Sequence, residues 1–339
     1  MLPSPIPGVR LSSSVLDCMR ANTVNPETAV SADNASVQGT FRHRLEYAPV
    51  WILVHTLAAL PRPVARFAGM SLGWAVWLLS GRLRGVGMRN QQIAFPEKSK
   101  REHRRVVRRV FLHLGRQLAE FCKFPQYTRE NVSNVIIYDG IENFEAARGR
   151  GKGVLFLTAH LGGWELSSFM HSIHGHAMHI VARGLDNPYV DRLVRRYRTL
   201  HGNRIFDKDD YARGLLKAVR DGETVGILMD TNMTPPQGIF AEFFGVPACT
   251  ASGLARVALR TDAAVLPGFA FWDEQIRKYR LHMAPALALI RTGDDEADVV
   301  ANTRLFNQTI ESYVRKYPDQ WLWVHRRWKT RPAAEPPLY

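Results

Sequence analysis

At 339 residues, 46% of them apolar, the chain holds material for one large domain or two ordinary ones, with a core that needs no metal or disulfide to fold. Its three cysteines, Cys18, Cys122 and Cys249, lie far apart without C-x-x-C spacing, which argues against a disulfide framework or a cysteine zinc site and fits a reducing compartment. A formal charge of +14 predicts a basic surface suited to nucleic acid, anionic lipid headgroups or another acidic ligand, and charge alone does not choose among them.

Residues 1–40, rich in Pro, Ser, Asn and Ala, read as a flexible leader without the apolar run of a signal peptide, and nothing around Cys18 resembles a lipoprotein anchor. Residues 41–95 differ in character. Tyr47 to Leu60 and Phe67 to Leu79 are apolar, separated by Pro61-Arg62-Pro63 and followed by Arg82, Arg84 and Arg89. Each run is shorter than the ~20 residues of a straight spanning helix. The expected form is a membrane-associated bent pair of helices in one leaflet, with the arginines at headgroup level and Trp51, Trp74 and Trp77 at the interface. A short tilted span and a hairpin buried in the protein core are the alternatives.

Ser99 to Phe121 predicts an amphipathic helix. Ser99 and Glu102 have capping-box spacing, and Val106, Val107, Val110, Phe111, Leu114 and Leu118 fall on one face. The other face carries Lys100, Arg101, Arg104, Arg105, Arg108 and Arg109, which meets either lipid phosphates or plain solvent. Beyond residue 150, strands at Val154–Ala159, Ala177–Ala182, Thr224–Met229 and Ala263–Phe271 alternate with helices near 188–200, 209–220, 251–260 and 297–316. The alternation predicts an α/β fold over 96–335, a central mixed sheet flanked by helices, preceded by the N-terminal membrane-associated helical segment.

The first of those strands runs straight into His160-Leu161-Gly162-Gly163-Trp164-Glu165. Carboxyl ends of strands in open α/β sheets are where ligands bind. On a continuous helix His160 and Glu165 would point about 140° apart, but Gly162 and Gly163 permit a tight turn that brings the carboxylate back onto the imidazole. Such a carboxylate fixes the tautomer, and the other ring nitrogen then takes a proton from an attacking hydroxyl. No enzyme nucleophile accompanies the pair, so the acceptor alcohol itself would attack an acyl donor. A His and a Glu on an ordinary loop is the plain alternative.

The segment Thr158 to Leu166 resembles the H-x4-D/E motif of the glycerolipid acyltransferase superfamily, in the form carried by the bacterial lipid A late acyltransferases. The likeness continues through Arg89-Asn90 to Glu97, Arg183 before Asp186-Asn187-Pro188, Asp230 after a strand, and Trp321 to Pro332, covering roughly residues 45–335. That family implies catalysis by His160 and Glu165, and an acyl carrier protein (or acyl-CoA) thioester as donor. It implies a phosphorylated glucosamine lipid as acceptor, at the cytoplasmic face of the inner membrane. By matching position, Arg183 would bind phosphate or the developing oxyanion and Asp230 would orient a substrate group or a cation, each with an ordinary ion pair as alternative. Gly162, Gly163 and Trp164 would border the substrate. Arg326 and Arg327 would sit on a rim for an anionic headgroup, or at the basic end of a core strand. Partners are then a membrane lipid, the carrier protein and an anionic membrane surface, with no nucleic acid, no metal and no cofactor.

The block Asp230 to Gly238 lacks the Phe-Pro-Glu-Gly-Thr type sequence of the phosphatidic acid branch, which disfavours a glycerol phosphate acceptor. A phospholipid, ornithine or amino lipid acceptor, a lipid hydrolase or thioesterase, and a non-catalytic anionic-membrane binder stay open. Gly149 to Gly153 precedes a strand and reads as a turn instead of a phosphate loop. His171, His174, His176 and His179 straddle an element boundary and read as a surface cluster.

Overall fold

The computed structural model describes residues 39–206 and 211–339, without the side chains of 211 and 212, so nearly all of the expected leader lies outside the described residues. Three helices come first: α1 (Phe41–Ala59), α2 (Arg62–Leu79) and α3 (Gly81–Ala94). Pro61 marks the first break, because its ring continues no helix and suits the cap of the next. Among the described residues no helix is long and apolar enough to cross a membrane, which removes the tilted span.

Helix α4 (Lys100–Cys122) starts at the expected capping box, with Ser99 and Glu102 bonded reciprocally. It holds α2 through glycine. A Cβ on Gly69 would stand 2.3 Å from the Gly115 carbonyl oxygen, and one on Gly73 would stand 2.1 Å from that of Phe111. The two backbones therefore meet at a distance only hydrogen allows. Packed this way, α2 turns Phe67, Trp74, Leu78 and Leu79 outward, so the hairpin is not wholly buried. Trp77 is buried beside Val107 and Phe111 and serves packing, contrary to the interfacial place expected for it. The basic face of α4 is exposed, with Arg109 bonded to Asp319 at 3.2 Å and Arg104 over the Trp77 ring.

The sheet has the order β1 (Ile136–Asp139), β9 (Lys278–Met283), β8 (Ala264–Asp273), β2 (Val154–Thr158), β5 (Thr224–Leu228), β3 (His179–Val181), β4 (Arg204–Phe206). All its pairs are parallel except β8 with β9, so the sheet is mixed. Helices α5 (Ile141–Gly149), α6 (Trp164–Ile173), α7 (Pro188–Thr199), α8 (Tyr211–Arg220), α9 (Gly253–Thr261) and α10 (Asp295–Lys316) flank it. Alternate residues of β2 point into separate cores: Leu155 and Leu157 into one with α9 and α10, Val154 and Phe156 into the other with α5 and α6. Both faces are covered, which is why the strand reads as an unbroken apolar run.

A hairpin, β6 (Gly238–Phe243) with β7 (Val246–Ala251), stands outside the main sheet. The tail after α10 forms turns instead of the strand considered for it, and buries Trp321, Trp323 and Trp328 in the first core. Truncating a buried ring of this size costs on the order of 3–5 kcal/mol, so the tail is a structural part of the domain.

Candidate active site

Strands β2 and β5 are parallel neighbours with Thr158 paired to Leu228. Two residues beyond each strand end stand His160 and Asp230, and the shared register sets them side by side. Asp230, 3% exposed, accepts three hydrogen bonds. The His160 ring Nδ1 lies 2.8 Å from Oδ1, while the His160 backbone N–H and the Trp321 indole N–H reach Oδ2 at 2.9 and 2.7 Å. A buried carboxylate with these neighbours holds the proton on Nδ1 and leaves Nε2 as the free base. No described residue bonds Nε2, and the side chain keeps 21% exposure, so that nitrogen opens outward.

Burial works against a charged imidazole, yet the Asp230 charge and hydrogen bond, helped by the Glu165 charge, outweigh it and hold His160 above its ordinary pKa of 6.5. Burial likewise favours a neutral Asp230, but His160 and the donors around it keep that carboxyl below 3.8.

The turn after His160 is pinned from below and behind. The Gly162 N–H donates to the Gln320 carbonyl at 2.9 Å and the Gly163 N–H to that of Ala270 at 2.6 Å, while Leu322 N–H returns to the His160 carbonyl at 3.0 Å. Gly162 has φ +61°, and a Cβ there would stand 2.0 Å from the Ala270 carbonyl oxygen. With both N–H groups already bonded, Gly162 and Gly163 shape the turn. The Trp164 ring sits edge-on to the His160 imidazole at 5.3 Å.

Glu165 does not take the place expected for it. Its carboxylate is engaged by the fork of Arg198 on α7, with Nε donating to Oε2 at 2.9 Å and Nη2 to Oε1. At the first turn of α6 it points to that neighbouring helix, and it influences His160 only through its charge. The orienting carboxylate is Asp230.

The model of the bacterial lipid A biosynthesis acyltransferases matches residues 38–330. The chain belongs to that family. It is an enzyme, an O-acyltransferase of the lipid A biosynthesis type. Similar relatives include the lipid A biosynthesis lauroyltransferase of Escherichia coli K12, 26% identical over 86% of this chain and 92% of its own. The myristoyltransferase of the same organism is 25% identical over 87% of this chain and 91% of its own. A lipid A biosynthesis acyltransferase of Haemophilus influenzae is 24% identical over 86% and 90%.

The remaining residues singled out in the sequence of this acyltransferase divide. Arg183 is 81% exposed and 3.8 Å from Asp186, and the cation paired with Glu165 beside the turn after His160 is Arg198. Arg326 is exposed and lies over the Tyr339 ring. Arg327 is fully buried, donating to the Thr231 and Cys249 carbonyls at 3.3 and 2.9 Å and to the Thr250 hydroxyl. Burial lowers its pKa to about 10, and it ties the tail to the β6–β7 hairpin instead of lining a headgroup rim. Of the histidine cluster, His171 is buried among Phe144, Phe156 and Tyr138, and burial pushes it down to about 3. His179 pairs with Glu223.

Sequence reasoning missed Trp321 and His325 as site residues. The His325 Nε2 accepts from the Asn232 backbone N–H at 2.9 Å, and burial holds its pKa below the ordinary value although the nearby Asp230 charge works the other way. The usable signal was that β2 and β5 each end in a polar residue at the same offset, which means a pair once the strands are known to be neighbours.

Proposed function

We propose that this acyltransferase moves a fatty acyl group from an acyl carrier protein thioester, with acyl-CoA as the alternative donor, to a hydroxyl of a lipid A precursor or related glycolipid at the cytoplasmic face of the inner membrane. The observation that carries the reading is His160, held by Asp230 on Nδ1 with Nε2 open.

In this mechanism Nε2 takes the proton of the acceptor hydroxyl as its oxygen attacks the thioester carbonyl. The imidazolium, stabilised by Asp230 and by the Glu165 charge, returns that proton to the departing thiolate. Arg198, within electrostatic reach of His160, places positive charge near the developing oxyanion. One ester forms, one thioester breaks and no cofactor is consumed. The exposed apolar residues Phe67, Trp74, Leu78 and Leu79 of α2 support an embedded hairpin that meets the acceptor in its own leaflet. The basic face of α4 suits an acidic carrier protein, whose docking would weaken as salt rises.

The test is lipid mass spectrometry of a bacterial host expressing the wild type or His160→Ala. A lipid A species heavier by one acyl group with the wild type alone is expected. A mass shift confined to another lipid would replace the acceptor, and no shift with folded, membrane-bound protein would refute the reading.

A further inference from the structure

Two of the three hydrogen bonds that Asp230 accepts come from His160 itself, one from the backbone N–H and one from the ring. They tie the two residues to each other without fixing the pair against the rest of the domain. The third comes from the Trp321 indole N–H, 91 positions along the chain from Asp230.

That indole is itself held. Trp321 is 1% exposed, with the Trp323 ring perpendicular to it at 4.4 Å and Phe243 of β6 at 5.5 Å, so its N–H has one direction in which to point. The residues on either side grip the turn after His160. The Gln320 carbonyl accepts from the Gly162 N–H, and the Leu322 N–H donates to the His160 carbonyl. Gln320 is fastened in turn to β8, its side-chain amide accepting from the Trp272 N–H at 2.9 Å and donating to the Trp272 carbonyl at 3.1 Å. Three consecutive tail residues therefore hold His160 by its backbone and Asp230 by its carboxylate. Other tryptophans of the same core do neither: Trp323 gives its N–H to the Pro318 carbonyl at 2.6 Å, and that of Trp328 has no acceptor among the described residues.

We propose that Trp321 is a positioning residue for acyl transfer, fixing through Asp230 the direction in which His160 presents Nε2. The inference rests on the reading of His160 as the base. A small error in the aim of a base is costly, because proton transfer needs hydrogen-bonding geometry at the moment of attack. The indole has a second effect with a definite sign. A carboxylate that loses one of three donors concentrates its charge on the contacts that remain, so without the indole Asp230 would pull harder on the imidazole proton. The other charges facing the pair are Glu165 and Arg198 beside His160, and Arg327 and the titratable His325 beside Asp230. None of these is exchanged when Trp321 is replaced.

The test uses the full chain in detergent with a carrier thioester and a glycolipid acceptor. Trp321→Phe removes the N–H and keeps a buried ring. Site-specific 3-benzothienylalanine at the same position keeps the shape of the indole, with sulfur in place of N–H, and decides the matter where Phe disturbs folding. Each should lower kcat by about tenfold or more with KM for both substrates unchanged, the pattern of an interaction realised in the transition state. The midpoint of kcat/KM against pH should rise by about 0.5 pH unit or more. Trp328→Phe, which loses an equally buried indole without a bonded N–H, should reduce stability and leave kcat and the midpoint where they are. A benzothienylalanine enzyme within about threefold of wild type in kcat, an unmoved or lowered midpoint, or equal losses in Trp328→Phe would overturn the proposal.

A second arm stands apart from turnover. Ring-nitrogen NMR of His160 should give a higher titration midpoint in the benzothienylalanine protein than in the wild type, and equal midpoints would remove Trp321 from the pair. If the wild type transfers no acyl group, the reading of His160 as the base fails, while this arm still decides whether Trp321 acts on Asp230 and His160.

Discussion

Asp230→Asn is the sharpest perturbation of the site, because an amide matches the carboxylate in shape and differs only in hydrogen-bonding sense. Asp230 accepts at Oδ2 from two N–H groups and at Oδ1 from the imidazole. An asparagine has a single oxygen. If that oxygen serves His160 Nδ1, the NH2 group confronts the His160 backbone N–H and the Trp321 indole, and two donors are left facing a donor. If it serves those two, the NH2 faces Nδ1, which must become an acceptor and pass its proton to Nε2. The second arrangement keeps three bonds at an expected cost of about 1–2 kcal/mol in stability, and it abolishes the free base. We therefore expect a folded protein whose kcat for acyl transfer falls by roughly 10^3–10^4, the scale for a base held in the wrong tautomer. Glu165→Gln removes a more distant charge, so it should lower the His160 pKa less than Asp230→Asn does. Single-turnover transfer from carrier thioester to glycolipid, with ring-nitrogen NMR of His160, reads both quantities. An Asp230→Asn enzyme within tenfold of wild type, or a larger pKa drop in Glu165→Gln, would refute the assignment of Asp230 as the orienting carboxylate.

Further outcomes follow from the same geometry. Since Nε2 must be unprotonated and His160 is held above 6.5, kcat/KM should climb with pH through a midpoint above that value, and a midpoint below it would contradict the Asp230 coupling. The linked stability has the opposite sense for the two partners. His160's share is full below 6.5 and fades as pH rises through its folded pKa, whereas that of Asp230 is present above 3.8 and fades as pH falls through its own. Gly162→Ala, forced to φ +61° against the Ala270 carbonyl, should cost about 1–3 kcal/mol in denaturant titration and disable transfer through loss of the turn. Arg327→Met leaves buried carbonyls unpaired and should lower stability by about 2–4 kcal/mol, with KM for either substrate unchanged in the folded fraction. The exposed pair Phe67→Ser/Leu79→Ser should weaken vesicle co-sedimentation at least tenfold and leave urea stability within ~0.5 kcal/mol, since apolar transfer acts only on membrane binding there.

Local pattern carried much of this protein into view. The capping box before α4, the Pro61 break and the apolar runs of β2, β5 and β8 are properties of short stretches, and the propensities that set them act within a few residues. His160 was visible because a strand running into a glycine-broken turn marks the ligand edge of an α/β sheet. The short strands β1 and β4, the hairpin β6–β7 and the polar-alternating β9 were not visible. Their stability comes from neighbours distant in sequence, as in the antiparallel pairing of β9 with β8 and the fastening of β6–β7 by Arg327.

Which carboxylate serves His160 was likewise a tertiary decision. Five residues of sequence put Glu165 within reach of a turn, but the first turn of α6 aims it at Arg198, and the register of β2 with β5 brings Asp230 across 70 residues to the imidazole. The sequence determined that a histidine would stand at the sheet's edge with acidic residues available. Strand neighbourhood, which no local spacing encodes, determined which of them holds its proton.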